Sequence, residues 1–147
     1  SSIKDVSLTT DVIVGFPGET EEDFEETLSV LRYSKFDAVY MFQFSPRPGT
    51  KANEYKDEFI KKDVIRDRFM RLKKIQTQIS HDRYKRFIGT KQRLLVENYS
   101  KKTNEFMSGK IDGGQTTHIA SEDIKIGDYV NVLITEASPF ALKSELI

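Results

Sequence analysis

The sequence predicts an α/β segment followed by an all-β segment, and three features of the 147-residue chain support this division. A strand–helix–strand pattern opens the chain. One long helical pattern rich in Lys and Arg follows it. From residue 88 onward, apolar residues recur at every second position, which is typical of short, half-buried strands. We therefore expect two domains, residues 1–87 and residues 88–147.

The first strand is predicted at residues 8–15, LTTDVIVG, and helix signals follow it at once. Thr20 is suited to be the N-cap of this helix, and Asp23 stands where a capping box places its acidic residue. Acidic residues crowd the first turns, where the helix dipole favours anions. Since capping and the dipole explain this acidic cluster, we predict no catalytic carboxylate in it. The buried face of the helix is predicted to consist of Phe24, Leu28 and Leu31.

A second strand is predicted at residues 37–44, DAVYMFQF, which completes a parallel βαβ unit. The carboxyl ends of parallel strands meet at one edge of the sheet, and ligands of α/β folds bind there. Two turns, GFPGE at residues 15–19 and SPRPGT at residues 45–50, should lie at that edge. GFPGE is neither a dinucleotide fingerprint nor a P-loop. From the residues alone it either holds a ligand or only joins a strand to a helix.

The long helix is predicted at residues 63–87. It either packs at the end of a domain or bridges two domains. The surrounding segment, residues 61–102, carries 14 Lys and Arg against 4 Asp and Glu, although the whole chain has a net charge of zero. This segment is either the footprint of a polyanion or a solvated helix face. The predicted apolar face of the helix consists of Ile65, Phe69, Leu72, Ile75, Ile79 and Phe87.

Five short strands are predicted between residue 88 and the end of the chain, with a hairpin turn at DGGQ, residues 112–115. Five strands in about 60 residues indicate a small closed barrel of the OB type, which commonly binds nucleic acid. Basic and aromatic residues along the first of these strands are either RNA contacts or an ordinary charged strand face. They are Lys91, Arg93, Tyr99, Lys101 and Lys102.

Several kinds of site are excluded by composition. The chain has no cysteine, so it holds no disulfide, thiolate metal site or cysteine nucleophile. His81 and His118 have no partners at metal-ligand spacing, and we predict neither a metal site nor a complete catalytic apparatus. There is no signal peptide and no apolar run of about 20 residues, so we expect a cytoplasmic protein. The chain begins without Met and soon enters a strand, which suggests a piece of a longer protein.

Four motifs, in their order along the chain, resemble those of the methylthiotransferases. These are radical S-adenosylmethionine enzymes with a C-terminal TRAM domain. The motifs are TTDVIVGFPGETEEDFEETL at 9–28, FQFSPRPGTKA at 42–52, LVENYSKK at 95–102 and IGDYVNVLITEA at 126–137. The resemblance implies the C-terminal portion of a radical-SAM barrel, which is a partial TIM-like barrel, followed by an OB-like TRAM barrel that binds RNA. The run at 94–111 is most similar to the tRNA branch of this family.

The resemblance also implies an activity and cofactors for the full-length protein. Enzymes of the tRNA branch methylthiolate C2 of isopentenyl-adenosine next to the anticodon. They use S-adenosylmethionine and two 4Fe–4S clusters, whose cysteine ligands are absent from this chain. We therefore expect this chain alone to be inactive. Its expected partner is the anticodon stem-loop of tRNA.

Site residues follow from the resemblance position by position. Ile13 and Gly15 match the I-x-G core of the G-x-I-x-G-x-x-E pattern that contacts the adenine of S-adenosylmethionine, whereas Asp11 and Gly18 depart from it. The residues predicted near the adenosyl group are Val14, Gly15, Phe16 and Pro17. Those predicted at the cavity mouth are Phe44, Ser45 and Arg47. Those predicted to contact RNA phosphates are Arg93, Lys101 and Lys102.

Two other interpretations stay open. The chain could belong to the ribosomal-protein branch or the threonylcarbamoyl-adenosine branch of the same family. It could instead be a stand-alone RNA-binding module, with the βαβ unit as scaffold. If it is a fragment, a two-strand remnant of a barrel exposes unpaired edges, and we expect it to be able to dimerise through them.

Overall fold

The computed structural model of the chain describes residues 6–99, 106–120 and 123–147. These residues divide into two units. The first unit is Leu8–Ile79, and the second contains Val6, Ser7 and the described residues from Ser80 onward. No helix in the described ranges has an apolar stretch long enough to cross a membrane.

The first unit is built on a parallel βαβ motif, as predicted. Strand β1 (Thr9–Val14) pairs in parallel with β2 (Ala38–Gln43), and helix α1 (Glu21–Ser34) connects them. The predicted capping box is confirmed, because the Thr20 hydroxyl accepts the Asp23 N–H and the Asp23 side chain accepts the Thr20 N–H. The apolar core of this unit contains Val14, Phe24, Leu28, Leu31, Val39 and Leu72.

The two faces of the β1–β2 sheet differ. One face packs into this core, whereas the other carries large side chains that remain exposed. Ile13 is paired with Phe42 in the register of the strands, and Asp11 is paired with Tyr40. Ile13, Tyr40 and Phe42 are each more than half exposed. Since side chains alternate along a strand, this second face runs the length of both strands.

Helix α2 (Lys62–Tyr84) follows two short 3₁₀ turns at Lys51–Glu54 and Lys56–Glu58. The predicted helix at 63–87 is confirmed in its main part, but its last turn, Lys85–Phe87, tightens into a 3₁₀ helix. Tightening of this kind is frequent at helix ends because it satisfies backbone groups that have no α-helical partner.

The second unit is a closed barrel of five strands, as predicted. The strands are β3 (Lys91–Tyr99), β4 (Phe106–Ile111), β5 (Thr116–Ala120), β6 (Tyr129–Ala137) and β7 (Leu142–Leu146). Their order around the barrel is β3-β4-β5-β7-β6, and only the β5–β7 pair is parallel. The predicted DGGQ turn joins β4 to β5. The fully buried side chains of the barrel core include Leu94, Val96, Ile119, Val132, Ile134 and Leu142.

Residues 138–141 separate β6 from the last strand, β7. The chain before it forms a turn in which the Ser138 hydroxyl accepts the N–H groups of Phe140 and Ala141, at 3.3 and 3.0 Å. A serine side chain that satisfies two backbone donors in this way competes with strand pairing. Strand β7 therefore begins at Leu142.

Candidate cofactor edge and nucleic-acid interface

The GFPGE turn begins at Gly15, directly after β1. Two separate features of the structure require glycine at this position. Its φ of +80° lies in the left-handed region that L side chains rarely adopt. A Cβ atom at this position would also lie 2.5 Å from Cγ1 of Ile65 on α2. Close packing against α2 therefore explains Gly15 without a ligand, and a larger residue here would disturb the fold.

A buried ion pair holds the other end of this turn. The Glu19 carboxylate accepts the Gly15 N–H at 3.1 Å and the Arg68 Nη1 donor at 2.7 Å. The same Nη1 also donates to the Glu19 carbonyl at 2.9 Å. Only 6% of the Arg68 side chain and 13% of the Glu19 side chain are exposed. The pair thus fixes the shape of the GFPGE turn.

Sequence reasoning missed this pair, although a signal for it exists. Arg68 lies three residues after Ile65 and four before Leu72, so it interrupts the apolar face of α2. A cation at a buried helix position needs a partner, because an unpaired buried charge is costly. The GFPGE turn, which carries Glu19, supplies that partner.

Two acidic residues near the start of α1, Glu21 and Glu25, also interact with α2. Glu21 bonds to Arg68 at 3.1 Å and to Arg71 at 2.6 Å, and Glu25 pairs with Arg71 as well. The hydrogen bond from Arg71 lowers the pKa of Glu21, and Arg68 adds to this effect. The same bond raises the pKa of Arg71. These carboxylates are engaged in holding α1 against α2.

Three phenylalanines form an aromatic group at the carboxyl ends of β1 and β2, which we call the aromatic edge. The ring centroids of Phe16 and Phe44 are 5.4 Å apart, and those of Phe44 and Phe59 are 5.9 Å apart, both in edge-to-face geometry. Phe16 is 46% exposed. Phe59 was not predicted, because it lies in the polar segment between β2 and α2.

The other residues predicted near the adenosyl group have buried side chains. Val14 is 1% exposed and belongs to the core, and Pro17 is also buried. The Val14 carbonyl accepts the Phe44 N–H at 2.8 Å. Of the four predicted residues, Phe16 is therefore the one whose side chain is open to a ligand.

The residues predicted at the cavity mouth do not all line the same pocket. Phe44 and Ser45 line a pocket of about 540 Å³, together with Lys62 and Arg66 of α2. Arg47 is exposed and lies outside the walls of this pocket. Its carbonyl accepts the Thr50 hydroxyl at 2.8 Å, which shapes the SPRPGT turn. The structure thus brings Phe16, Phe44 and Ser45 to one edge.

On the barrel, Arg93 lies on an outward face of β3. Its guanidinium carbon is 5.2 Å from the centre of the Tyr129 ring on β6. Its Nη2 and Nε atoms bond to Asp112 Oδ1 at 3.1 and 3.3 Å. The other two predicted RNA contacts, Lys101 and Lys102, lie outside the described residues.

Tyr129 is a functional candidate that sequence reasoning missed. It is 64% exposed and lies diagonally across from Arg93 in the β3–β6 register. Tyr129 alternates with the apolar residues Val130 and Val132, which was a visible signal, but without the register nothing connected Tyr129 to Arg93. Among the described residues, no group of three His, Asp or Glu could hold a metal ion.

Comparison with known families assigns the barrel. The sequence from residue 85 to residue 147 matches the TRAM domain family. Residues 85–147 are a TRAM domain. The predicted order, an α/β segment followed by this barrel, is confirmed.

Curated relatives match almost the whole chain, including the part before the TRAM domain. A tRNA-2-methylthio-N(6)-dimethylallyladenosine synthase of Corynebacterium glutamicum is 43% identical over 97% of this chain. The enzyme of the same name numbered 1 in Mycobacterium marinum is 42% identical over 97% of the chain, and the one in Finegoldia magna is 38% identical over 99%. The chain spans 28% to 32% of the length of these relatives. The resemblance to the methylthiotransferases is confirmed.

Proposed function

We propose that this chain is the C-terminal part of a tRNA-modifying enzyme that methylthiolates C2 of isopentenyl-adenosine next to the anticodon. The observation that carries the proposal is the 43% identity with a synthase of that name over both units of the chain. The three relatives described above all have the tRNA name, which favours this branch over the ribosomal-protein and threonylcarbamoyl-adenosine branches. Such an enzyme acts on tRNA and is expected in the cytoplasm.

In this proposal the TRAM domain grips the anticodon stem-loop. The target base lies in a loop where it can be unstacked and reached, so a separate domain that holds the RNA is useful. Arg93 on β3, with Lys101 and Lys102 beyond the end of that strand, supplies cations for the phosphates. These three residues lie in the most basic segment of the chain.

The βαβ unit would supply part of the S-adenosylmethionine site. The aromatic edge suits an adenine ring, because Phe16 and Phe44 offer apolar ring surface at the carboxyl ends of parallel strands. Arg47 is exposed in the SPRPGT turn that follows β2, and its cation would pair with the carboxylate of S-adenosylmethionine. When bound, S-adenosylmethionine supplies the radical and methyl-transfer chemistry of this enzyme class. The two 4Fe–4S clusters would be held by cysteines elsewhere in the complete protein, since this chain has none, and this chain alone would be inactive.

The cofactor proposal is tested by equilibrium binding of S-adenosylmethionine to the complete enzyme. We expect Phe16→Leu to weaken binding about three- to tenfold through loss of ring contact. Tyr33→Leu is the matched control, because Tyr33 is 91% exposed on α1, away from the edge. Unchanged affinity in a folded Phe16→Leu enzyme would remove the aromatic edge from the site. Gly15→Val is unsuitable for this purpose, because its clash with Ile65 would disturb the fold.

The RNA proposal is tested with the 147-residue chain and an anticodon stem-loop RNA. Replacing Lys101 and Lys102 together by Ala should weaken binding and reduce the slope of log K against log salt by about 1.4–1.8, the contribution of two phosphate contacts. Replacing Lys35 and Lys51, which lie in the other unit, is the control. An unchanged slope would remove Lys101 and Lys102 from the interface.

We also propose that the isolated chain associates through the βαβ unit. Within the described residues, β1 and β2 pair only with each other, so each strand has one unpaired edge. The mean mass measured by sedimentation should rise with concentration. A mass that stays at one chain at every concentration would rule out this association.

A further inference from the structure

We propose that Tyr129, flanked by Arg93, Lys91 and Asn131, is a stacking site for one unpaired nucleotide of the RNA. This inference rests on the proposed RNA binding and names what the TRAM domain recognises. The site lies on β3 and β6, the first and fourth strands of the barrel. No residue of β6 was among the predicted contacts.

The strand register brings these side chains together on one face. Arg93 is directly opposite Asn131, and Leu95 is directly opposite Tyr129. Arg93 and Tyr129 are therefore diagonal neighbours, which is within reach of long and aromatic side chains. Lys91, two residues before Arg93, points to the same face of the sheet.

The Tyr129 ring has the exposure and the support that stacking requires. It is 64% exposed, so a large part of the ring is open to a ligand. The Arg93 guanidinium lies 5.2 Å from its centre and is itself held by two bonds to Asp112. Tyr has only two side-chain torsions, so its ring loses little conformational freedom when a base stacks on it.

Polar groups for the rest of a nucleotide lie further along the same two strands, on the side of Arg93 and Asn131. A pocket of about 490 Å³ is lined by Lys91, Gln92, Arg93, Asn131 and Ile147. The Asn131 side chain can both donate to and accept from a base edge, and Lys91 can pair with a phosphate. Arg93 Nη1 makes no hydrogen bond to any described residue, which leaves both of its N–H groups for the ligand.

An unpaired nucleotide fits this face better than a duplex does. A base inside a duplex stacks on its neighbours and presents only its edges, whereas an unpaired base offers its whole ring to an aromatic side chain. The Asp112 carboxylate also reduces the net positive charge of the face. Attraction of phosphates alone would therefore give only weak RNA binding at this face. Stacking is favoured because it needs little net charge.

The experiment measures binding of the 147-residue chain to a single-stranded RNA and to a blunt RNA duplex of the same base composition. Tyr129→Leu should weaken binding of the single strand about 5- to 100-fold, the effect of losing one stacked base, and leave duplex binding within about twofold. Tyr129→Phe, which keeps the ring, should bind the single strand within about threefold of the unchanged chain. The exposed position of Tyr129 makes these variants compatible with folding, which thermal unfolding can verify.

A fluorescence experiment reports on stacking directly. The chain contains no Trp, so Tyr129→Trp introduces a single indole. Stacking of a base on the indole should quench its emission when the single strand is added. Tyr33→Trp places the indole on α1 as a control, and its emission should not change.

Three outcomes would overturn the inference. Single-strand binding by Tyr129→Leu equal to that of the unchanged chain would mean that the face serves another partner, such as a protein. Equal losses for the single strand and the duplex would show that the ring does not stack on an unpaired base. Failure of the unchanged chain to bind any RNA would refute the proposed RNA binding itself and this inference with it.

Discussion

The TRAM barrel and the βαβ unit complete their sheets in different ways. In the barrel, each of the five strands has two neighbours, so the sheet has no free edge. In the βαβ unit, β1 and β2 pair only with each other among the described residues, and one sheet face leaves Ile13, Tyr40 and Phe42 exposed. The barrel is closed, whereas the βαβ unit leaves two strand edges and one apolar sheet face uncovered among the described residues.

The interiors of the two units differ in a related way. The polar side chains buried in the barrel unit, among its described residues, are the uncharged Ser80, Gln115 and Thr117. The βαβ unit also buries charged groups, notably Arg68 and Asp37, at 5% and 1% exposure. Asp37 accepts the Leu8 N–H at 3.0 Å, and Arg68 holds Glu19. Among the described residues, both units therefore bury polar side chains, but the charged ones lie in the βαβ unit, where they hold its turns.

The largest effect is expected from Gly109→Ala in the barrel. A Cβ at Gly109 would lie 1.8 Å from the Leu95 carbonyl oxygen, next to the irregular pairing between Val96 and Asn98. The contact is with backbone, so relief requires β3 and β4 to separate, at a cost of about 3 kcal/mol or more. Denaturant unfolding followed by residue-resolved NMR should show loss of the barrel while α1 is retained.

Ser108→Ala is the control for this change, because it alters the neighbouring position of β4 without adding bulk. A Gly109→Ala barrel that is as stable as the unchanged barrel would contradict the tight β3–β4 contact. Simultaneous loss of α1 would show that the two units do not unfold separately, which would remove the basis of the comparison.

Arg68→Met should produce the next largest effect, this time in the βαβ unit. The change leaves the Glu19 carboxylate buried without its partner, and breaking a buried pair costs about 3 kcal/mol. The free energy of unfolding of the βαβ unit should fall by this amount, with little change in the barrel. Adding Glu19→Gln to Arg68→Met should recover part of the loss, because it removes the unpaired charge. Full additivity of the two changes would show that the residues do not interact.

Thr20→Ala should have a smaller effect on the same unit. It removes the acceptor for the Asp23 N–H at the start of α1, which costs about 1 kcal/mol. Ser29→Ala on the exposed side of α1 is the control, and it should change stability little. The measurement is the shift in the βαβ unfolding transition. No difference between the two variants would mean that the cap contributes nothing.

The smallest effect concerns the pH dependence of α1. Hydrogen bonds with Thr20 lower the pKa of Asp23 below its ordinary value of 3.8. A lowered pKa in the folded state stabilises the fold above the unfolded pKa, and this stabilisation is lost as the pH falls through the folded pKa. Asp23→Asn should therefore reduce the loss of stability between about pH 5 and pH 2. Glu22→Gln in the same turn is the control. An identical acid profile for Asp23→Asn and the unchanged chain would contradict the contribution of this carboxylate.

The sequence predicted the features that depend on neighbouring residues and missed those that depend on distant ones. The barrel strands, the DGGQ turn and the Thr20 cap were predicted because alternation, turn residues and capping residues are local signals. The Glu19–Arg68 pair joins residues 49 positions apart, and the aromatic edge depends on Phe59 from a segment without periodicity. Tyr129 became a candidate only when the β3–β6 register placed it beside Arg93. Contacts between distant residues are set by tertiary structure, which a single sequence does not display.

We propose that the TRAM barrel carries the RNA contacts of this chain and that the edge of the βαβ unit serves the cofactor. The most direct test is amide hydrogen exchange of the 147-residue chain, with and without an anticodon stem-loop RNA. We predict that exchange slows in β3 and β6 and is unchanged from Leu8 to Gln43. Slowing confined to the βαβ unit, or bound RNA that leaves both β3 and β6 unchanged, would contradict the claim.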